Sequence, residues 1–513
     1  MGLSSTAAST MEGFQFCIFD LRRGQQEGQE LDKILFFSPS DCPYSAQLSV
    51  IGLSEGIITF TRIFSPEAAC EVIEAEKHTH VFYEAEPDIW MVMVLEKNKD
   101  TESIWRCDPL QETLKEIHSL FVMFHGTLRG LLEKQPSGEL VRSHLFSFVT
   151  DYINEFHVGK RIQMPSFCEC LRERGTVQML TISREVAIEI QSLITVLGSS
   201  GGNIVCNSLI LFQDLLVSTT LSPDDTANIF TYAVMRLTPR ALSSTISSWS
   251  YLKRAKSAPN VAAISSIPTS AVEESHYTSC DTSPGGQRQR FHIPRPLQRH
   301  KWSKGKDGFV IPDIWDSESG NSISLSPTVW FQETEERMCL CVYQHKSLTI
   351  ILLVPVSLLA NGGQTLALLK KQLVENASQK VVNVEEKLSR GWGGENAYHV
   401  AGYRYLLIDD DRRISRASPP GKVTTLTKES LLALNRLREE VDLEKAIGKR
   451  DNPEHEEDLE VCIRARNNAW VIAKVVRGRE LYMVLEKANE TLLYASDALE
   501  KFSNRYCDGA FSA

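Results

Sequence analysis

The chain has 513 residues, 42% of them hydrophobic and 23% charged, with a formal net charge of -10. That length is too great for one ordinary core and predicts about three globular units, each roughly 100 to 200 residues. The net acidity argues against nucleic acid as a partner, because counterion release from phosphates needs a dense array of Lys and Arg.

At the N-terminus, Met1-Gly2-Leu3-Ser4-Ser5-Thr6 has the form of an N-myristoylation signal and makes Gly2 a candidate lipidation site. The plainer reading is a small-residue leader. No basic segment followed by an apolar stretch precedes the first strand, so no secretory signal is expected. The longest apolar run, Leu348 to Ala360, is interrupted by Pro355 and is too short to cross a bilayer. A cytoplasmic protein, recruited peripherally to membranes, is therefore expected.

An apolar strand closing on an acid, Phe14 to Asp20, is followed by a second strand, Lys33 to Phe37, and by Ser38-Pro39 before a helix. The order recurs at Leu209 to Asp214, Leu215 to Leu221 and Ser222-Pro223, and again at Tyr403 to Asp409, Ile414 to Ala417 and Ser418-Pro419. The downstream halves repeat as well. Three strand-like segments follow the first helix, at Glu71 to Ala75, His78 to Glu84 and Asp88 to Glu96, and then helical patterns at Leu110 to Lys134 and Leu140 to Phe156. In the third copy the strands are Asp458 to Ala465, Ala469 to Val476 and Glu480 to Glu486, before a helix from Asn489 to Tyr506. The string Met-Val-Leu-Glu-Lys stands at Met93 to Lys97 and at Met483 to Lys487, the same point of both copies.

The shared order, strand, strand, helix, three strands, helix, predicts a five-stranded, mostly antiparallel sheet flanked by helices, an α/β (α+β) fold written three times. The units fall at 12–157, 201–390 and 397–508, with a connecting helical segment at 158–200. The middle unit is interrupted at 239–325 by a Ser/Pro-rich basic stretch with few apolar residues, expected to be disordered. Its basic run, Arg288, Arg290, Arg295, Arg299, Lys301, Lys304 and Lys306, suits an anionic membrane surface; the alternative is a solvated linker. Within Arg254-Ala255-Lys256-Ser257-Ala258-Pro259, Ser257 is a candidate phosphosite for a phosphoserine-reading partner.

Signs of enzyme chemistry are nearly absent. Gly198-Ser199-Ser200-Gly201-Gly202-Asn203 lacks the Gly-Lys-Ser/Thr of a phosphate loop, and no nucleophile elbow, zinc helix or kinase signature is found. The 12 cysteines are scattered, and several, such as Cys17, Cys206 and Cys462, lie in apolar runs as small hydrophobes. The close pairs Cys168/Cys170 and Cys339/Cys341 lack a second pair at zinc spacing, so neither metal nor cofactor is expected. A protein that acts by binding is favoured.

The strand Phe16-Cys17-Ile18-Phe19-Asp20, the segment Phe36-Phe37-Ser38-Pro39, the strand Gly402-Tyr403-Arg404-Tyr405-Leu406 and the threefold order resemble the Ccz subunits of Mon/Ccz vacuolar fusion complexes, most closely the plant ones. The resemblance implies three longin domains, a heterodimer with a Mon-type longin subunit, and nucleotide exchange on a Rab-seven-class GTPase at the late endosome and vacuole. Longin modules also occur in tethering and coat-adaptor subunits that only bind, and this is the alternative. On the helix after Ser38-Pro39, Val50, Leu53, Ile57, Phe60 and Phe64 form a stripe expected to pack on the domain's own sheet. A second row, Leu48, Ile51 and Ile58 with Glu55, is expected to meet the partner subunit or the GTPase, as the corresponding helices do in the family resembled. Pro39 and Tyr44 would shape the loop before it. The plainer reading is a helix sunk deeply enough to bury both rows.

Overall fold

The computed structural model describes residues 14–65, 69–96, 108–158, 176–180, 182, 184–200, 207–238, 308–310, 328–331, 334–358, 363–391, 403–418, 427–451, 458–476, 478–485 and 491–506. Gly2, Ser257 and the basic residues from Arg288 to Lys306 lie outside them.

The first sheet holds β1 (Phe14–Asp20), β2 (Ile34–Ser38), β3 (Val72–Glu74), β4 (His78–Glu86) and β5 (Ile89–Glu96), all antiparallel, in the order β2-β1-β5-β4-β3. Helix α1 (Tyr44–Phe64) makes the crossover from β2 to β3, and α2 (Asp108–His125), α3 (Leu128–Lys134) and α4 (Glu139–Val158) follow β5. The strand alternation divides β1 between two cores. Phe16 and Ile18 join Leu114, Phe121 and Phe148 of α2 and α4, whereas Cys17 and Phe19 join Ile51 and Ile58 of α1. The single helix expected over Leu110 to Lys134 is broken at Gly126, whose φ of 87° ends α2, and at Thr127, whose hydroxyl accepts from Gly130 N–H to cap α3.

The connection 158–200 is not simply helical: β6 (Val177–Gln178) precedes α5 (Arg184–Ser200). The second sheet is built from β7 (Asn207–Phe212), β8 (Leu215–Thr219), β9 (Gly308–Val310), β10 (Thr328–Phe331), β11 (Glu336–His345) and β12 (Leu348–Pro355), in the order β10-β11-β12-β7-β8, with β9 also on β11. Strand β9 corrects the expectation that all of 239–325 is looped out. Phe309 is buried with its ring 5.1 Å from that of Tyr343, enough apolar contact to draw these three residues into the sheet. Helix α6 (Pro223–Arg236) is capped by Ser222, which accepts from Asp225 N–H, and begins with Pro223, whose missing N–H costs nothing there. Helices α7 (Gly363–Gln372) and α8 (Ser378–Gly391), joined by a π turn, lie with α5 on the opposite face.

The third sheet comprises β13 (Tyr403–Asp409), β14 (Ile414–Ala417), β15 (Leu459–Arg464), β16 (Trp470–Val476) and β17 (Arg479–Leu485), in the order β15-β16-β17-β13-β14, and β6 pairs with β14. Helices α9 (Lys428–Asp451) and α10 (Leu492–Tyr506) cover its two faces. Five strands thus repeat in one order three times, as expected, while the second sheet gains β9 on β11 in line with β10 and the third gains β6 beyond its edge strand β14. The first and second sheets share one core: α2 and α4 lie between them, and Phe124 of α2 meets Tyr232 of α6 with rings 4.8 Å apart. Among the described residues, no helix is long and apolar enough to cross a membrane.

A candidate partner-binding face on helix α1

Residues 44 to 64 hold only two charged side chains, and both are tied to α1's own unit. Glu55 accepts from Lys33 Nζ at 2.8 and 3.1 Å. Arg62 donates to Glu84 at 2.8 Å and to Asp88 at 3.3 Å, and its guanidinium lies 5.4 Å from the centre of the Trp90 ring. Asp88 also accepts from Arg22 at 2.7 Å, the main cause that holds its carboxyl below the ordinary aspartate range. Everything else that α1 presents outward is uncharged.

The inward line is Gln47, Ile51, Ser54 and Ile58, spaced four, three and four residues apart. Two of its members are polar but satisfied, Gln47 by Cys42 O at 2.7 Å and Ser54 by Val50 O at 2.9 Å. This line corrects the expected orientation. Ile51 and Ile58 are 1% and 0% exposed against Cys17, Phe82 and Trp90, so neither meets a partner. Leu48 and Glu55 lie half-buried at the flank, and Glu55 is paired with Lys33 of its own unit. Leu53, Phe60 and Phe64, expected against the sheet, are instead 55%, 62% and 72% exposed, with Ile63 at 71% beside them. Only Val50 and Ile57 of that stripe lean on the α1 core. Tyr44 opens the helix largely exposed at its first turn, and Pro39 follows β2 through a cis peptide bond, with Cys42 N–H donating to its carbonyl.

The outer face therefore carries Leu53, Phe60, Ile63 and Phe64, with the rings of Phe60 and Phe64 4.8 Å apart. Together these side chains offer on the order of 400 Å² of apolar surface, about half of one partner's share of a standard protein interface. Gly52 and Gly56 lie one turn apart on the same face, and a Cβ built on either meets nothing within 4 Å. Neither needs a positive φ, so nothing in this chain requires glycine there, although each weakens the helix by roughly 0.5 to 1 kcal/mol relative to Ala. The glycines, and the scarcity of charge along a surface helix, were the readable signs of this face; the strength of its apolar stripe pointed the wrong way. Among the described residues no cluster of His, Cys, Asp or Glu is arranged to hold a metal ion. What this surface can do is exclude water against another protein.

A model of the first longin domain of INTU, CCZ1 and HPS4 matches residues 15–126, the span from β1 to the end of α2. A vacuolar fusion protein CCZ1 homolog of Oryza sativa subsp. japonica is 65% identical over 512 residues, covering all of both chains. Homolog B of Arabidopsis thaliana is 60% identical, covering 100% of this chain and 99% of its own. At greater distance, a CCZ1 homolog of Xenopus tropicalis is 23% identical over 95% of this chain and 94% of its own.

Proposed function

This chain belongs to the CCZ1 family of vacuolar fusion proteins, and from that premise we propose that it is one subunit of a heterodimeric guanine-nucleotide exchange factor in vacuolar trafficking. It pairs with a Mon-type longin subunit and acts on a Rab-seven-class GTPase. The observation that carries this reading is the uncharged outer face of α1, where Leu53, Phe60, Ile63 and Phe64 stand exposed beside Gly52 and Gly56.

No reactive side chain is needed for such an activity. A GTPase releases nucleotide slowly because its phosphates and Mg²⁺ are gripped by a phosphate loop and ordered switch segments. A surface that binds the empty, switch-distorted form more tightly than the loaded form weakens the nucleotide by the same factor, through linkage. Apolar side chains on a rigid helix serve this end, since their burial favours whichever GTPase state fits them. Peripheral recruitment to late-endosomal and vacuolar membranes is part of the same proposal, with Gly2 and the basic run from Arg288 to Lys306 as its means and Ser257 as a phosphorylation point.

The test is release of a fluorescent guanine nucleotide from the GTPase by the purified pair at substoichiometric concentration. Acceleration with turnover, lost when Phe60 and Phe64 become Asp, is expected. A pair that accelerates nothing and prefers the GTP-loaded form is an effector or tether instead.

A further inference from the structure

Strands β8 and β14 hold equivalent places in the second and third sheets: each is the second strand of its unit and the last on its side. Left alone, both would offer unpaired backbone groups to any passing strand. The segment Thr176–Leu180 lies between them and bonds to both. Val177 N–H donates to Arg413 O and Met179 N–H to Ser415 O on the third sheet, and Leu180 N–H donates to Leu216 O on the second, each at 2.7 Å. Side chains add to the joint: Thr176 Oγ1 donates to Ser415 Oγ at 3.3 Å, Arg416 reaches Met179 Sδ at 3.7 Å, and Arg413 of the third unit pairs directly with Asp224 at the start of α6.

Both pairings of the segment are parallel, with Val177 opposite Ile414 and Met179 opposite Leu216. Strands β8 and β14 therefore run in the same direction, and because they are equivalent edges, one sheet is turned over relative to the other. The side chains agree. Val177 and Leu216 are buried in the core under α6, and Ile414 leans on that same core. Its neighbour Ser415, opposite Ile408, points to the α9 side. The α6 face of the second sheet thus continues into the α10 face of the third.

We infer that Thr176–Leu180 is a clasp that welds the second and third units into one continuous sheet, β10-β11-β12-β7-β8-β6-β14-β13-β17-β16-β15, which moves as a single body. Two backbone hydrogen bonds to the third sheet and one to the second, with the side chain of Val177 buried between them, hold this joint against hinge motion. The first unit shares the core that Val177 enters, so the clasp ties all three units together.

Hydrogen exchange on the full-length protein tests this. In the native chain, the amides of Val177, Met179 and Leu180 exchange as slowly as those inside β7 and β13; exchange at the rate of an open loop overturns the inference. In the double variant Val177→Pro and Met179→Pro, two donors are removed. Peptides covering β8 and β14 then exchange roughly tenfold faster or more, while β12 and β17 keep their protection. Small-angle scattering of the same variant gains the signature of two jointed bodies. A folded variant that keeps the native scattering curve and the native exchange at β8 and β14 overturns the inference as well. If the variant fails to fold, the native exchange rates decide alone.

Discussion

Glu86 shows how single side chains hold the helices to the sheets. It closes β4, yet its carboxylate accepts from the N–H groups of Leu128 at 2.6 Å and Arg129 at 2.7 Å, the first turn of α3, and lies 3.4 Å from His118 Nε2. Burial pushes this carboxyl up, but the hydrogen bonds from His118, Arg129 and Leu128 outweigh it and hold it below the ordinary glutamate range. A carboxyl lowered on folding contributes stability that is complete above its unfolded value, about 4.3, and is lost as pH falls through the folded value. Glu86→Gln is expected to cost about 1 to 2 kcal/mol at neutral pH and to flatten the acid limb of the stability curve. Urea unfolding at pH 7 and below pH 4.3 measures both; an unchanged acid limb contradicts the assignment. The acids that close the first strands were legible as a pattern, but their use was not. Asp20 is 1% exposed and paired with Arg129 at 2.9 Å, a partner 109 residues away.

At the scale of the element, α1 separates folding from binding. Ile51→Ala removes a fully buried side chain and is expected to destabilise the chain by about 2 to 4 kcal/mol, read as a lower unfolding midpoint. Phe60→Ala with Phe64→Ala is expected to change stability by no more than about 0.5 kcal/mol each, while weakening capture of the proposed Mon-type partner or GTPase by tenfold or more. Gly56→Ala adds a methyl into open space and is expected to stabilise the isolated chain by roughly 0.5 to 1 kcal/mol. Equal loss of stability for Ile51→Ala and Phe60→Ala would mean that the helix sits the other way round. Periodicity located this helix and its two rows. It did not show which row faces inward, because the more apolar row is the outer one, while the inner line includes Gln47 and Ser54, whose polar groups are satisfied locally.

At the scale of the whole molecule, the units are not independent beads. The core between the first and second sheets combines Phe121 and Phe148 with Leu211, Phe230 and Val342, and Asp151 reaches Arg236 at 3.6 Å across it. A fragment comprising residues 12–157 uncovers the sides of α2 and α4 that meet the second unit. It is expected to associate or to bind a hydrophobic dye, as gel filtration and dye fluorescence would show. A fragment that stays monomeric and dye-free would mean that this contact contributes little.

The repeated strand order, the mixed α/β architecture and the family resemblance were legible along the chain, because each rests on local periodicity and on turn and cap residues read within one element. Tertiary structure alone decided which way α1 is rotated, that Gly308–Val310 returns to the sheet, and that Thr176–Leu180 clasps two sheet edges. Those outcomes depend on which groups, distant in the chain, meet to exclude water and complete one another's hydrogen bonds, and no window of sequence contains both partners.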